Sequence, residues 1–321
     1  MNKKQKSGLF VLITIAVVAC AFAVMNVITF VSGSSVSYGN IKNGINFSLK
    51  TGKGYIAALY IEGVIQPENQ NYNQKWLSDT IRKLKNDKNN KGIAIYINSP
   101  GGTVYEADET YLLLQDYRTT GRPVYVYQGQ LAASGGYYIS CAAKKIYANR
   151  NTLTGSIGVI TGSSYDLTGL FTKLGIKSET IHAGRNKNMF SINEPVTSEQ
   201  KAIMQSIADE CYDQFTGIVA MNRNIPLNEV RKLADGRIYT ANQALKNGLI
   251  DSIDSWENMI KNMKDNEFNG ENYNVVDYRY NRERTIRDFI MGKSNQESVL
   301  LNAIDPLLSE TRMQYPAYLY R

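Results

Sequence analysis

One histidine, His182, stands in the whole chain. That excludes a multi-histidine metal centre, and any Ser-His-Asp constellation would have to use this residue. Cysteine is nearly as scarce. Of the three, Cys20 lies in an apolar N-terminal run, and Cys141 and Cys211 are far apart, which gives neither a disulfide framework nor a metal-ligand cluster. No Walker-type phosphate loop occurs. The net charge of +7 is not gathered into a patch, because bases and acids alternate in stretches such as NEVRKLADGR and YNRERTIRD. Such mixing reads as solvated surface, so a nucleic-acid partner is not expected.

What is present begins with length. The 321 residues, 43% of them hydrophobic, suffice for one large domain or two small ones with a sizeable core. Residues 1–7 carry Lys3, Lys4 and Lys6, and residues 8–33 then run with only Asn26 strongly polar. Such a run can cross a hydrocarbon layer of about 30 Å at about 1.5 Å per residue. It is too long for the apolar part of a cleaved signal peptide, although VSGSS offers a small-residue exit. The expectation is an uncleaved anchor whose lysines stay cytoplasmic, sending the rest of the chain outside. Residues 34–53 are rich in Ser, Gly and Asn and read as a linker.

Beyond the linker, pattern and punctuation predict alternating strands and helices. Strands are expected at 55–65 (bent or paired), 91–98, 123–128 and 177–184, with short ones in 145–160 and a further one at 271–279. Helices are expected at 74–87, 103–121, 134–143, 167–175, 198–223, 226–234, 240–247 and 253–264. This order implies an α/β fold with a parallel sheet and right-handed crossovers. Two passages resemble each other: IAIYINSPGGTVYEA and VYVYQGQLAASGGYYIS are each a strand, then small residues with Gly-Gly, then a helix. Glycine pairs of this kind permit tight turns and close packing. Two of them from successive units can also bring two backbone N–H groups to one oxygen, as an oxyanion site requires.

Ser134 lies at the second handover. As a nucleophile it needs a base, and His182, Lys187 and the acids are the candidates. His182 falls in the expected strand, whereas Lys187 follows it in a polar, glycine-containing segment of the kind that carries functional groups. Composition alone makes Lys187 a solvated loop lysine.

Taken together, INSPGG, GQLAASGGYYIS, TGSIGVI and HAGRNKNMF resemble the membrane-anchored signal peptide peptidases of the SppA type, serine proteases with the Clp protease/crotonase fold. The resemblance covers about residues 53–264. It implies a superhelix of β-β-α units at 54–264 and a C-terminal extension at 265–321. It makes Ser134 the nucleophile and Lys187, in the segment GRNK, the general base, with Ser156 positioning the lysine amine. The backbone N–H groups of Gly135 and Gly102 become the oxyanion donors, with Gly101 the lesser choice. No cofactor is implied. The implied partners are apolar peptides such as signal peptides, the membrane, and further copies of the chain sharing active-site grooves. The implied location is a bacterial plasma membrane, with the catalytic domain outside. In some members the C-terminus lies in the grooves, a role for which QYPAYLYR is apolar enough. Two rival readings remain: a crotonase-like acyl-CoA enzyme, which uses the same paired N–H groups on a thioester, and a catalytically inactive anchored scaffold.

The lysine assignment has a physical requirement. A lysine of ordinary pKa about 10.4 must become neutral near pH 7, at about 4.6 kcal/mol, a shift that burial in a dry, apolar groove can supply. Arg185 would add to the shift if it faced the amine and would do little if it faced outward.

Overall fold

The run YIAALYIE has almost no polar side chain, so a strand made from it must be covered on both faces. It forms β1 (Tyr55–Glu62), which pairs in parallel with β2 (Asn90–Ser99). β3 (Gly101–Thr103) follows directly. β4 (Val124–Ala133) lies parallel to β2, and its two halves take different partners. Tyr125–Gln128 pair with β5 (Lys145–Ala148), and Leu131–Ala133 pair with β6 (Leu153–Gly155). β7 (Ile238–Thr240) closes one edge antiparallel to β6, and β8 (Ser252–Ile253) pairs with β5. β9 (Asn274–Tyr278) covers the far edge, parallel to β1. β10 (Ala317–Leu319) lies off this sheet, antiparallel to β3. This computed structural model describes residues 54–281 and 317–319, all within one unit, Lys53–Arg321.

Helices cover both faces. Alternation along β1 and β2 sends Ala57, Leu59, Ile61, Ile93, Ile95 and Ile97 to one side. There they meet Leu77 and Ile81 of α1 (Gln74–Asn86), Ala107 and Leu114 of α2 (Val104–Arg118), and Tyr137 and Ile139 of α3 (Gly135–Ser140). After the short α4 (Thr168–Lys173) comes the long α5 (Ser198–Arg223), which adds Phe215 and Val219 to this core. α6 (Leu227–Leu233) and α7 (Ala241–Lys246) flank β7. The opposite face, with Ile56, Ala94, Tyr125 and Tyr127, packs on Met259, Ile260 and Met263 of α8 (Trp256–Phe268).

The α/β alternation is as expected, with two differences. β4 runs on to Ala133, because the small residues after Gln128 pair with β6 instead of forming a turn. The expected strand at 177–184 is absent: the segment is irregular and exposed, and it pairs with no strand among the described residues. The strand expected at 271–279 forms as β9, the outer strand of the sheet. The expected anchor at 8–33 and its flanking segments lie outside the described residues. Among the described residues no helix is long and apolar enough to cross a membrane.

Candidate active site

β4 stops at Ala133, and the chain turns into α3 through Ser134, whose φ of 53° and ψ of −116° a side chain rarely adopts. Holding a non-glycine residue there costs on the order of 1–3 kcal/mol. The turn is held from both sides. The Ser134 N–H donates to the Gly155 carbonyl at 2.7 Å, and the Ser134 carbonyl accepts from Tyr138 N–H at 2.8 Å. Ser134 is buried. α3 is pinned further in by its tyrosines. Tyr137 donates to the Leu249 carbonyl at 2.8 Å, and Tyr138 donates to Asp108 Oδ1 at 2.6 Å. Burial pushes the Tyr137 hydroxyl well above the usual tyrosine range, so it stays a donor.

The second Gly-Gly stands against this turn. A side chain at Gly135 would begin 3.2 Å from the amide nitrogen of Gly102 and 3.3 Å from Gly101 Cα. A side chain at Gly102 would begin 1.7 Å from the Ile65 carbonyl oxygen, so only glycine allows the approach. β3 is bonded along one side: Ile65 N–H donates to the Gly101 carbonyl and Thr103 N–H to the Ile65 carbonyl, both at 2.9 Å. Gly101 N–H donates to Ser99 Oγ at 3.0 Å. Strand alternation then turns the Gly102 N–H to the opposite side, where β10 runs with Tyr318 in register with Gly102. The two expected oxyanion donors, Gly135 and Gly102, are thus neighbours; the Gly101 N–H is engaged by Ser99, and the Gly102 N–H faces β10.

Ser156 sits on a second turn of the same kind, with φ 50°, and is also buried. Its N–H donates to the Arg237 carbonyl at 2.8 Å, and the residue before it, Gly155, holds Ser134. The two serine turns are therefore coupled through one peptide.

Lys187 is not brought to Ser134. It lies on an exposed turn closed by its own N–H to the Gly184 carbonyl at 3.0 Å, and no hydrogen bond links the two side chains among the described residues. Arg185 faces outward, paired with Glu199. His182 is exposed in the same irregular segment, so its expected place in a strand does not separate it from Lys187. Around this segment Leu170, Leu174, Ile176 and Ile181 are exposed, Ile181 by 95%. Among the described residues, the Ser134 turn and the two glycines come together, and no hydrogen bond from a candidate base reaches the Ser134 side chain.

Sequence reading missed Ser99 and Asp108. Ser99 had a signal: a hydroxyl two residues before a glycine amide can accept from that amide. Asp108 had none, because its partner Tyr138 comes from another helix.

The fold and the site define a class: an α/β protein that presents a serine on a strained strand-to-helix turn to a glycine strand. Residues 116–268 match the family model for peptidase family S49, and the chain carries a domain of that family. That stretch contains Ser134, Ser156 and Lys187. The chain is 38% identical over 216 residues to a putative signal peptide peptidase SppA of Enterococcus faecium, covering 65% of this chain and 62% of the relative. It is 34% identical over 209 residues to a putative protease of Methanocaldococcus jannaschii, covering 65% of this chain and 66% of that one. Among solved structures, a membrane-bound stomatin-specific protease mutant superposes with a TM-score of 0.49 at 18% identity, covering 71% of this chain and 99% of that one. The aligned region thus spans less than two thirds of the length of these curated relatives.

Proposed function

We propose that the protein is a serine endopeptidase that cleaves apolar peptides, cleaved signal peptides among them, with Ser134 as nucleophile and Lys187 as general base. The observation that carries the reading is the apposition of two glycine turns: the strained Ser134 turn, opening a helix at Gly135, against Gly102 of β3. Backbone N–H groups from two such turns suit the oxyanion of a tetrahedral intermediate, and losing one donor typically costs about 10²–10³ in rate.

The chemistry follows. The Ser134 hydroxyl gives its proton to the neutral amine of Lys187 as Oγ attacks the peptide carbonyl. The oxyanion sits between the N–H groups of Gly135 and Gly102. The lysinium protonates the leaving amine, and water repeats the sequence on the acyl-enzyme. The pairing of β10 with β3 supports an extended peptide in this groove, antiparallel to Gly101–Thr103, and favours a peptide over an acyl-CoA thioester.

The base comes from a second copy of the chain. Lys187 is exposed here, whereas a lysine base works in a dry setting. The exposed apolar side chains of the same segment give a neighbouring subunit a surface to cover, which would dry the lysine. Ser156, coupled to the Ser134 turn, would then steady the amine. We place the catalytic body outside a membrane, held by residues 8–33.

The test is cleavage of an apolar peptide with mass analysis of the products, comparing wild type with Ser134→Ala, Lys187→Ala and His182→Ala. Loss in the first two and retention in the third supports the reading. Full activity in Lys187→Ala would falsify the base assignment.

A further inference from the structure

Two consecutive amides, those of Gly101 and Gly102, lie on the strand facing Ser134, and an oxyanion needs one of them in a fixed place. One of the two, the Gly101 amide, is taken by a side chain outside the assigned machinery. Ser99 is fully buried, and its Oγ accepts the Gly101 N–H at 3.0 Å. Pro100 stiffens the link between the two residues. Ser99 is also in register with Ala132, two residues before Ser134, and a side chain at Gly136 would begin 3.2 Å from its carbonyl oxygen. The residue therefore touches both glycine turns at once.

We propose that Ser99 is a positioning residue for the oxyanion site: its hydroxyl occupies the Gly101 amide and so fixes the strand with the Gly102 N–H as the presented donor. This rests on the serine-peptidase reading. The other polar groups of β3 are consistent with the role. The Gly101 carbonyl and the Thr103 amide are bonded to Ile65. Thr103 Oγ1 donates to Glu106 Oε2, which ties the end of the strand to the first turn of α2. Without the Ser99 hydroxyl, the buried Gly101 amide is orphaned and the Pro100–Gly101 peptide loses its anchor, which leaves the neighbouring Gly101–Gly102 peptide held only through the Gly101 carbonyl to Ile65. Donor geometry suffers while the groove that binds the peptide remains.

The experiment uses the full chain and two probes: a peptide aldehyde, whose hemiacetal with Ser134 places an oxygen at the donors, and the matching peptide alcohol, which forms no adduct. Ser99→Ala is expected to lower kcat by about 10–10³-fold, the range for a weakened or lost oxyanion donor, with KM nearly unchanged. Aldehyde affinity should fall with kcat, and alcohol affinity should hold. Unchanged kcat, or aldehyde and alcohol affinities falling together with a rise in KM, overturns the proposal. A second measurement needs no variant. With ¹⁵N-glycine labelling of wild type, aldehyde binding should move the Gly102 amide resonance and leave Gly101 bonded to Ser99. Movement of Gly101 instead overturns it. If wild type neither cleaves peptide nor takes up the aldehyde, the peptidase reading itself fails. If wild type does both and Ser99→Ala matches it, only the role of Ser99 fails.

Discussion

The amide of Ser134 donates to the carbonyl of Gly155 at 2.7 Å, and Gly155 is bonded in sequence to Ser156, the other buried serine with a positive φ. One strained turn thus hangs from the other. The first prediction concerns that strain. Ser134→Gly removes the only side chain that objects to φ 53°. It should raise stability by about 1 kcal/mol, net of glycine's larger unfolded-state entropy. That is roughly 2–4 °C in Tm for a body of this size. Peptide cleavage should vanish in the same variant. Thermal melts and activity measured side by side check the trade; a less stable Ser134→Gly protein contradicts it.

Glycines on the two turns should fail differently. Gly102→Ala puts a carbon 1.7 Å from the Ile65 carbonyl, which no rotamer relieves, so the variant should be insoluble or strongly destabilised. Gly135→Ala meets its nearest atom at 3.2 Å and should fold. Its kcat should nonetheless drop, because the added methyl presses on Gly102 where the donors meet. Denaturant midpoints for both variants, with kcat for Gly135→Ala, decide the matter.

If the base arrives from a neighbour, two inactive proteins should rescue each other. Mixing Ser134→Ala with Lys187→Ala subunits, after dissociation and reassembly, should restore about a quarter of wild-type activity, the statistical share of interfaces holding both intact residues. No rescue in assemblies shown to be mixed would count against a shared site.

Some of this was legible beforehand, and the reasons are local. The α5 helix was readable because its N-cap Thr197 and Gln200 bond each other's backbones, a signal contained in four residues. The Ser134 turn was readable as a handover from its glycines. The end of β4 was not, since Leu131–Ala133 become strand through pairing with residues distant in sequence, Ser99 of β2 and Leu153–Gly155 of β6. Segment 177–184 has strand-like composition yet joins no strand among the described residues, and strand pairing is decided by partners its own sequence does not contain. The choice between Lys187 and His182 is invisible for a related reason: both lie on one exposed segment, and what faces them is not fixed by their own neighbours in sequence.

High pH should weaken the protein independently of the catalytic base. Burial pushes the Cys141 thiol up to about 12, and the hydroxyl of its neighbour Tyr137 is raised by burial as well. A group whose acid form is favoured by folding contributes fully below its unfolded pKa, near 9 for the thiol, and that contribution is lost as pH climbs toward the folded value. Stability should therefore fall above about pH 9 by roughly 1.4 kcal/mol per unit from Cys141 alone. Denaturant midpoints from pH 7 to 11 should show the decline, and Cys141→Ala should make it shallower. Thiol reagents should reach Cys141 in the native protein only as fast as it opens.

Strand β9 lies parallel along β1, residue for residue from Tyr55↔Asn274 to Leu59↔Tyr278. Shortening the gene to the last residue of the most obvious homology would therefore strip the guard from an apolar rim. Ile56 through Leu59 would offer bare amides and carbonyls to any passing chain, and the truncated product should clump. Expression designs for this body do better to stop after Tyr278, where the outermost rung of the ladder is complete.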